Sequence, residues 1–321
     1  MGTFSKSILG ISLKEATVAR RGFRTRDPLV CQRLETIGKT FLFGYHAALK
    51  EDDISNLGNR LDAVEPELKG FAFEGAAMGV ALLDGMPLGK RDRWLRLIDG
   101  VGSAHVYMLH VGFGWAIARL PWLRRRVVRA IEALDPLLRW LAVDGLGFHE
   151  GYFHWRKYVR RRVNPRGLSG YALRVFDQGL GRSLWFVDGA DVLRIAATID
   201  TFPNERHSDL WSGVGLACAY AGGVDRSEVD SLRKASGPHL LCVAQGAAFA
   251  AKARERASNP AEHTDLACRV LCGVSAQLAA LETDAALEGL PMSGPEPPYE
   301  IWRNRIQSRL AELGAREATL C

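Results

Sequence analysis

Gly70-Phe71-Ala72-Phe73-Glu74-Gly75-Ala76-Ala77-Met78-Gly79 carries three glycines and one acid in an otherwise apolar run. It has no period-two alternation, and it continues apolar to Leu83, too long for a typical strand. The reading is a buried helix over 67–84, built from residues an ordinary helix avoids. Each mid-helix glycine costs roughly 1 kcal/mol against alanine, so something must offset it. Close helix–helix packing is one explanation, and room for a ligand beside the helix is the other.

Outward from this stretch the chain reads as helix throughout: 29–50, 91–99, 103–120, 123–133, 136–142, 150–163, 169–187, 190–198, 208–221, 226–235, 238–257, 261–283 and 298–313. The breaks carry Gly or Pro, as at Asn164-Pro165-Arg166-Gly167 and Gly222-Gly223. No segment alternates long enough to build a sheet. Phe176-Asp177-Gln178-Gly179-Leu180-Gly181-Arg182 echoes Phe73 to Gly79, and Ala244-Gln245-Gly246 echoes it again. Val111-Gly112-Phe113-Gly114 and Ser212-Gly213-Val214-Gly215 open second glycine-rich helices after the first two copies. The expectation is an all-α, multi-helix single domain of duplicated Gly-rich helix pairs around a central apolar pocket. A chance likeness of small-residue helices stays open beside it. The domain spans 29–315, with a basic, partly ordered N-terminal extension over 1–28 and a tail over 316–321.

The 321 residues are 47% hydrophobic and 24% charged, with a formal net charge of +6 and a pI near 9.1. Much of the excess lies in Arg124-Arg125-Arg126 with Arg129, and in Arg156-Lys157 with Arg160-Arg161-Arg162. Such runs are solvated faces or docking sites for an acidic protein such as an acyl carrier protein. No nucleic-acid module accompanies them, so no nucleic-acid partner is expected. There is no CxxC among the six cysteines, and Cys268 and Cys272 share one apolar helical face, which suits buried reduced thiols. With neither a signal peptide nor a transmembrane segment in sight, a cytoplasmic location is expected.

The acids Glu74 and Asp177 sit among apolar neighbours, where a carboxylate pairs with a cation or rises in pKa. Asp177 has Arg174 and Arg182 within reach for a local ion pair. The alternative is a pair of facing acids, one from each repeat, acting as general acid and base. Asp144-Gly145-Leu146-Gly147-Phe148-His149-Glu150-Gly151-Tyr152-Phe153-His154-Trp155 is the densest polar-aromatic segment. His149, Glu150 and His154 miss the HExxH spacing by one residue, so His149 and His154 are weak metal candidates that need ligands from His110, His207 or Glu74. The cofactor stays unknown: no motif supports a metal, and no attachment motif supports haem. Asp209 opens a helix, as a cap or as a further acid. Val111-Gly112-Phe113-Gly114 is no dinucleotide motif, because it lies inside a helix, and neither GxSxG nor a P-loop occurs. The candidate chemistry-bearing set is Glu74, His149, Glu150, Asp177, Arg182 and Asp209. The candidate lining set is Tyr45, Gly75, Gly79, Trp115, Phe148, Tyr152, Gly179, Trp185 and Trp211.

Together with Arg21-Gly22-Phe23, Gly44-Tyr45-His46-Ala47-Ala48 and Tyr220-Ala221-Gly222-Gly223, these segments resemble the UnbL-type proteins of enediyne polyketide gene clusters, over about residues 20 to 310. The resemblance implies a pathway: an accessory protein in enediyne core formation, meeting a long apolar polyene or polyyne alone or with other cassette proteins. It supplies no catalytic residues. Three readings follow: an enzyme with acid–base or metal chemistry, a non-catalytic binder that shields the polyene, and a self-resistance protein that offers a backbone glycine.

Overall fold

The computed structural model describes residues 9–25, 27–86, 92–119 and 134–320. The predicted helix 123–133 and the run Arg124 to Arg126 with Arg129 lie outside them. Fourteen helices organise the described residues: α1 (Pro28–Lys50), α2 (Ile54–Asp62), α3 (Pro66–Gly85), α4 (Arg93–Ile98), α5 (Val106–Arg119), α6 (Arg139–Phe153), α7 (Tyr171–Val187), α8 (Val192–Ile199), α9 (His207–Ala221), α10 (Arg226–Ala235), α11 (Leu240–Arg256), α12 (Glu262–Leu271), α13 (Ala276–Ala285) and α14 (Pro298–Leu320). A short turn of helix, Val18–Arg21, precedes them. No strand occurs among the described residues. The fold is all-α, as expected.

The glycines explain the arrangement. Gly44 of α1 lies against the Ala72 carbonyl of α3, and Gly75 of α3 lies against the Phe41 carbonyl of α1. One turn on, a methyl group at Gly79 would sit 2.8 Å from Ala48 Cβ. The contacts advance together along both chains, so the two helices run parallel. Each glycine meets the carbonyl three residues before the glycine facing it.

The same figure recurs down the chain. Gly112 of α5 meets the Glu74 carbonyl, with Ala77 in the place of the facing glycine. Gly114 and Gly145 join α5 to α6, and Gly147 and Gly179 join α6 to α7. Gly181 and Gly213 join α7 to α9, and Gly215 and Gly246 join α9 to α11. Seven parallel helices therefore stand in a row, and the leading glycines of the last six, from Gly75 to Gly246, recur every 33 to 37 residues.

Helix geometry shows why the motif is G-x-G. Successive residues are about 100° apart, so two glycines at i and i+2 face nearly opposite sides. The first meets the preceding helix and the second the following one. The residue between them faces outward: Phe113 packs 4.8 Å from Trp94 of α4, and Ala76 shares a cluster with Leu57 and Leu61 of α2. The residue before the first glycine, and the one after the second, face the interior.

The structure corrects the predicted repeat. It is a single-helix unit in seven copies, not two or three helix pairs, and Glu74 corresponds to Gln178, one residue beyond the Asp177 that the sequence echo suggested. It also corrects 143–149, left between two predicted helices: Asp144-Gly145-Leu146-Gly147 is the middle of the continuous helix α6. The tail predicted from 316 continues α14 to Leu320.

The row bends round on itself. Phe71 near the start of α3 meets Tyr220 near the end of α9, their ring centroids 5.0 Å apart. Arg33 of α1 donates to the Ala221 carbonyl at 2.9 Å, and Arg254 of α11 donates to the Tyr220 carbonyl at 2.7 Å. Residues 9–25 strap one end of the row: the Arg24 N–H donates to the Val187 carbonyl at 2.8 Å, and the Tyr45 hydroxyl donates to the Leu9 carbonyl at 2.6 Å. Cys268 and Cys272 do share one buried face, turned to the Ala247 and Ala244 carbonyls of α11.

A methyl group at Gly145 or Gly179 would overlap a neighbouring carbonyl. Gly145→Ala or Gly179→Ala is therefore expected to cost at least about 2 kcal/mol, the scale of overpacking a dense core. Gly314, helical with nothing near it, is the control: Gly314→Ala should gain up to about 1 kcal/mol. Thermal melts of the three variants check both signs.

Candidate active site

The interior-facing positions carry the polar residues of the core. Directly before the leading glycines stand Glu74, Asp144, Gln178, Ser212 and Gln245, each at most 1% exposed. Most are satisfied by each other. Gln178 donates to Asp144 at 2.9 Å and to the Tyr299 hydroxyl of α14 at 3.0 Å, and Ser212 donates to Gln245 at 2.8 Å. Arg182, one residue after the second glycine of α7, forms a buried ion pair with Asp144 and lies 4.6 Å over the Phe148 ring.

Glu74 is the exception. Neither of its carboxyl oxygens has a partner of good hydrogen-bond geometry; the indole N–H of Trp115 makes only a weak contact, which draws the pKa of Glu74 down. Burial raises its pKa from the ordinary 4.5 to about 7; the Arg182 charge opposes this and the Asp144 charge adds to it. A carboxyl poised near neutrality can hold or release a proton at physiological pH.

Glu74 lines a narrow crevice between the strap and helices α1, α3, α5, α6 and α7. Aromatic rings form most of its wall. Phe41 and Trp115 are 4.5 Å apart, Trp115 and Phe148 5.1 Å, and Phe148 and Phe186 5.5 Å. The free space is about 30 Å³, room for one or two waters. A second crevice of the same size lies beyond, lined by Val111, Leu141, Arg182, Leu216, Tyr220 and Phe249 among others. Phe71 touches Tyr220, and Arg182 covers Phe148, so the two spaces share a wall. The Tyr220 hydroxyl in that wall is buried without a partner.

Of the predicted residues, the structure gathers Glu74, Trp115, Phe148 and Tyr152 around the first crevice and sets Arg182 behind it. The other assignments need correction. Asp177 does not face Glu74: it pairs with Arg206, which is neither Arg174 nor Arg182. Asp209 neither caps its helix nor enters the crevice. It binds Arg303 at 2.7 Å and Arg174 at 3.0 Å, and Glu300 completes this neutral cluster. Arg182 neutralises Asp144, not Asp177.

Gly75, Gly79 and Gly179 face neighbouring helices and leave no room for a ligand. Tyr45 and Trp185 are fully buried and Trp211 nearly so; the Trp185 indole donates to the Gly222 carbonyl at 2.9 Å. His149 lies behind Trp115 with both ring nitrogens unpartnered, 3.9 Å from Glu150, and burial holds it neutral. His154 is exposed, its ring 6.2 Å from that of His149. No group of three or more His, Cys, Asp or Glu able to hold a metal occurs among the described residues.

Sequence reasoning missed Asp144, Gln178 and Tyr299, and the walls Phe41 and Phe71. The signal for the first two was their place directly before a leading glycine. The walls become neighbours only when the row bends.

The raised Glu74 pKa fixes a stability trend. The folded state holds this proton between pH 4.5 and about 7 while the unfolded state has lost it, so the contribution is present below 4.5 and lost as pH rises through 7. The loss is roughly 3 kcal/mol. Glu74→Gln should remove this slope, so the variant-minus-wild-type stability, measured by denaturant titration, rises from pH 4.5 to 8. A flat difference would place the proton elsewhere.

Among comparisons with known proteins, neither a curated protein nor a solved structure matches the chain. A family profile does match, over residues 1–310, so that nearly the whole chain, row and crevices included, is one family unit: the protein belongs to the DUF1702 family, described as a protein of unknown function.

Proposed function

We propose that the protein binds a linear unsaturated hydrocarbon chain in the aromatic crevice and transfers a proton through Glu74, as an accessory protein of enediyne core formation. The observation that carries this is the carboxyl group of Glu74, fully buried, without a partner of good hydrogen-bond geometry and facing a wall of aromatic rings. The lining supports the ligand class: Phe41, Phe71, Trp115, Phe148, Phe153 and Phe186 make a wall of aromatic carbon, which suits an apolar unsaturated chain. Charge supports it too. With Glu74 protonated, Asp144 and Arg182 cancel, so the interior prefers an uncharged chain segment. The pathway rests on the resemblance to the UnbL-type proteins.

A shielding binder without catalysis is the second reading. It draws on the lack of a second free acid, since Asp177 and Asp209 are both held by guanidinium groups. The glycine-donor reading gains nothing from the motif glycines, which lie between helix backbones.

A conjugated tetraene, methyl parinarate, tests binding. Energy transfer from tryptophan with a dissociation constant in the micromolar range is expected, about 8 kcal/mol of binding. Trp115→Phe should reduce the transfer, and no transfer at all would sink the reading. Glu74→Gln should keep binding yet lower product by 10²-fold or more in a strain that makes an enediyne through this protein. Unchanged product would favour the binder.

A further inference from the structure

Outside the crevices, one pocket among the described residues is lined by four arginines. Arg24, Arg160, Arg162 and Arg194 line it together with Trp155, Thr198 and Thr201, around about 370 Å³. The four arginines come from three places: the strap, the segment after α6 and helix α8. Arg24 pairs with the buried Asp188, and Arg194 pairs with Asp191 at 2.9 Å. Arg160 and Arg162 are exposed, and neither has an ion pair among the described residues. Two positive charges are therefore left without an anion.

The backbone is shaped for this. Residues Arg156–Arg160 form a π-helical turn, a form that recurs at functional sites. Arg162 adopts φ +53°, a left-handed conformation that costs a non-glycine residue energy. Arg194 also donates to the Arg24 carbonyl, which locks the strap to α8.

We infer that this pocket is a phosphate site, built for the phosphate ester of a flexible arm whose apolar chain enters the crevice. Two uncompensated guanidinium groups match the charge of a phosphate dianion, and guanidinium forks match its oxygens. The pocket and the crevice share the strap. The Trp155 indole donates to the Arg21 carbonyl at 3.0 Å, and Arg21 donates to the Phe153 carbonyl at 2.6 Å. Phe153 itself lines the crevice. An arm held at the arginines therefore delivers its chain beside the crevice wall. The phosphate site stands on the pocket's own geometry, and the tethered chain rests on the reading of the crevice given above.

Trp155 reports on the site. Its fluorescence is titrated with inorganic phosphate, 4′-phosphopantetheine, pantetheine, and vesicles containing phosphatidylglycerol. The expected result is saturable binding of phosphopantetheine, at least tenfold tighter than inorganic phosphate, and none of pantetheine. Arg160→Ala/Arg162→Ala should weaken it tenfold or more while methyl parinarate binding stays unchanged. Both arginines are exposed, so this variant keeps its fold. Saturable binding of inorganic phosphate as tight as the arm would keep the site and overturn the tether, and vesicle binding alone would assign the pocket to a lipid headgroup and overturn the arm. No phosphate-dependent signal, or one untouched by the double variant, overturns the proposal, and neither result bears on whether the crevice takes a polyene.

Discussion

The contact between a glycine on one helix and a backbone carbonyl on the next is the constraint from which the rest follows. It brings helix axes closer than side chains permit, and it brings Cα–H groups to carbonyl oxygens, a weak attraction repeated along the row. A helix with glycines on two opposite sides can be pinned twice, once to each neighbour. Its other two faces are then assigned by geometry: one to the outer helices, one to the interior. The cost of glycine in a helix is offset here by dense backbone packing.

The buried charges follow from the same geometry. Interior-facing positions lie next to the leading glycines, so polar residues there cannot reach water. Asp144 is met by Arg182 and Gln178, and the Asp209 and Glu300 carboxylates by Arg174 and Arg303. Buried ion pairs with full hydrogen bonding are tolerated, whereas a lone ionised carboxylate is not. Glu74 answers by keeping its proton. Its raised pKa is a consequence of full burial beside a wall of aromatic rings.

The helical class was legible in the sequence, because apolar runs without period-two alternation leave no other reading. So was the candidacy of Glu74, Trp115, Phe148 and Tyr152, which share the crevice. The repeat was half legible. Gln245-Gly246 aligned with Glu74-Gly75, but the Phe–acid likeness of Phe73-Glu74 to Phe176-Asp177 pulled the second copy out of register by one residue. That slip turned a residue by about 100° and sent Asp177 to Arg206. Partners such as Arg206, Arg303 and Tyr299 were not legible, since they lie 29 or more residues from the groups they satisfy. Nor was the arginine pocket, which the strap, the π-turn and α8 assemble from separate parts of the chain.

The G-x-G block separates two kinds of information within a few adjacent letters. The glycines hold the helix spacing, and the flanking residues write the interior. A substitution at Phe148, Arg182 or Leu216 can reshape the crevices while the glycine–carbonyl contacts stay as they are, whereas any change at the glycines breaks the frame. A scaffold of this kind lets the cavity drift toward new ligands while its architecture stays fixed. Descendants of one ancestral chain could then differ in what they hold and agree in almost every glycine.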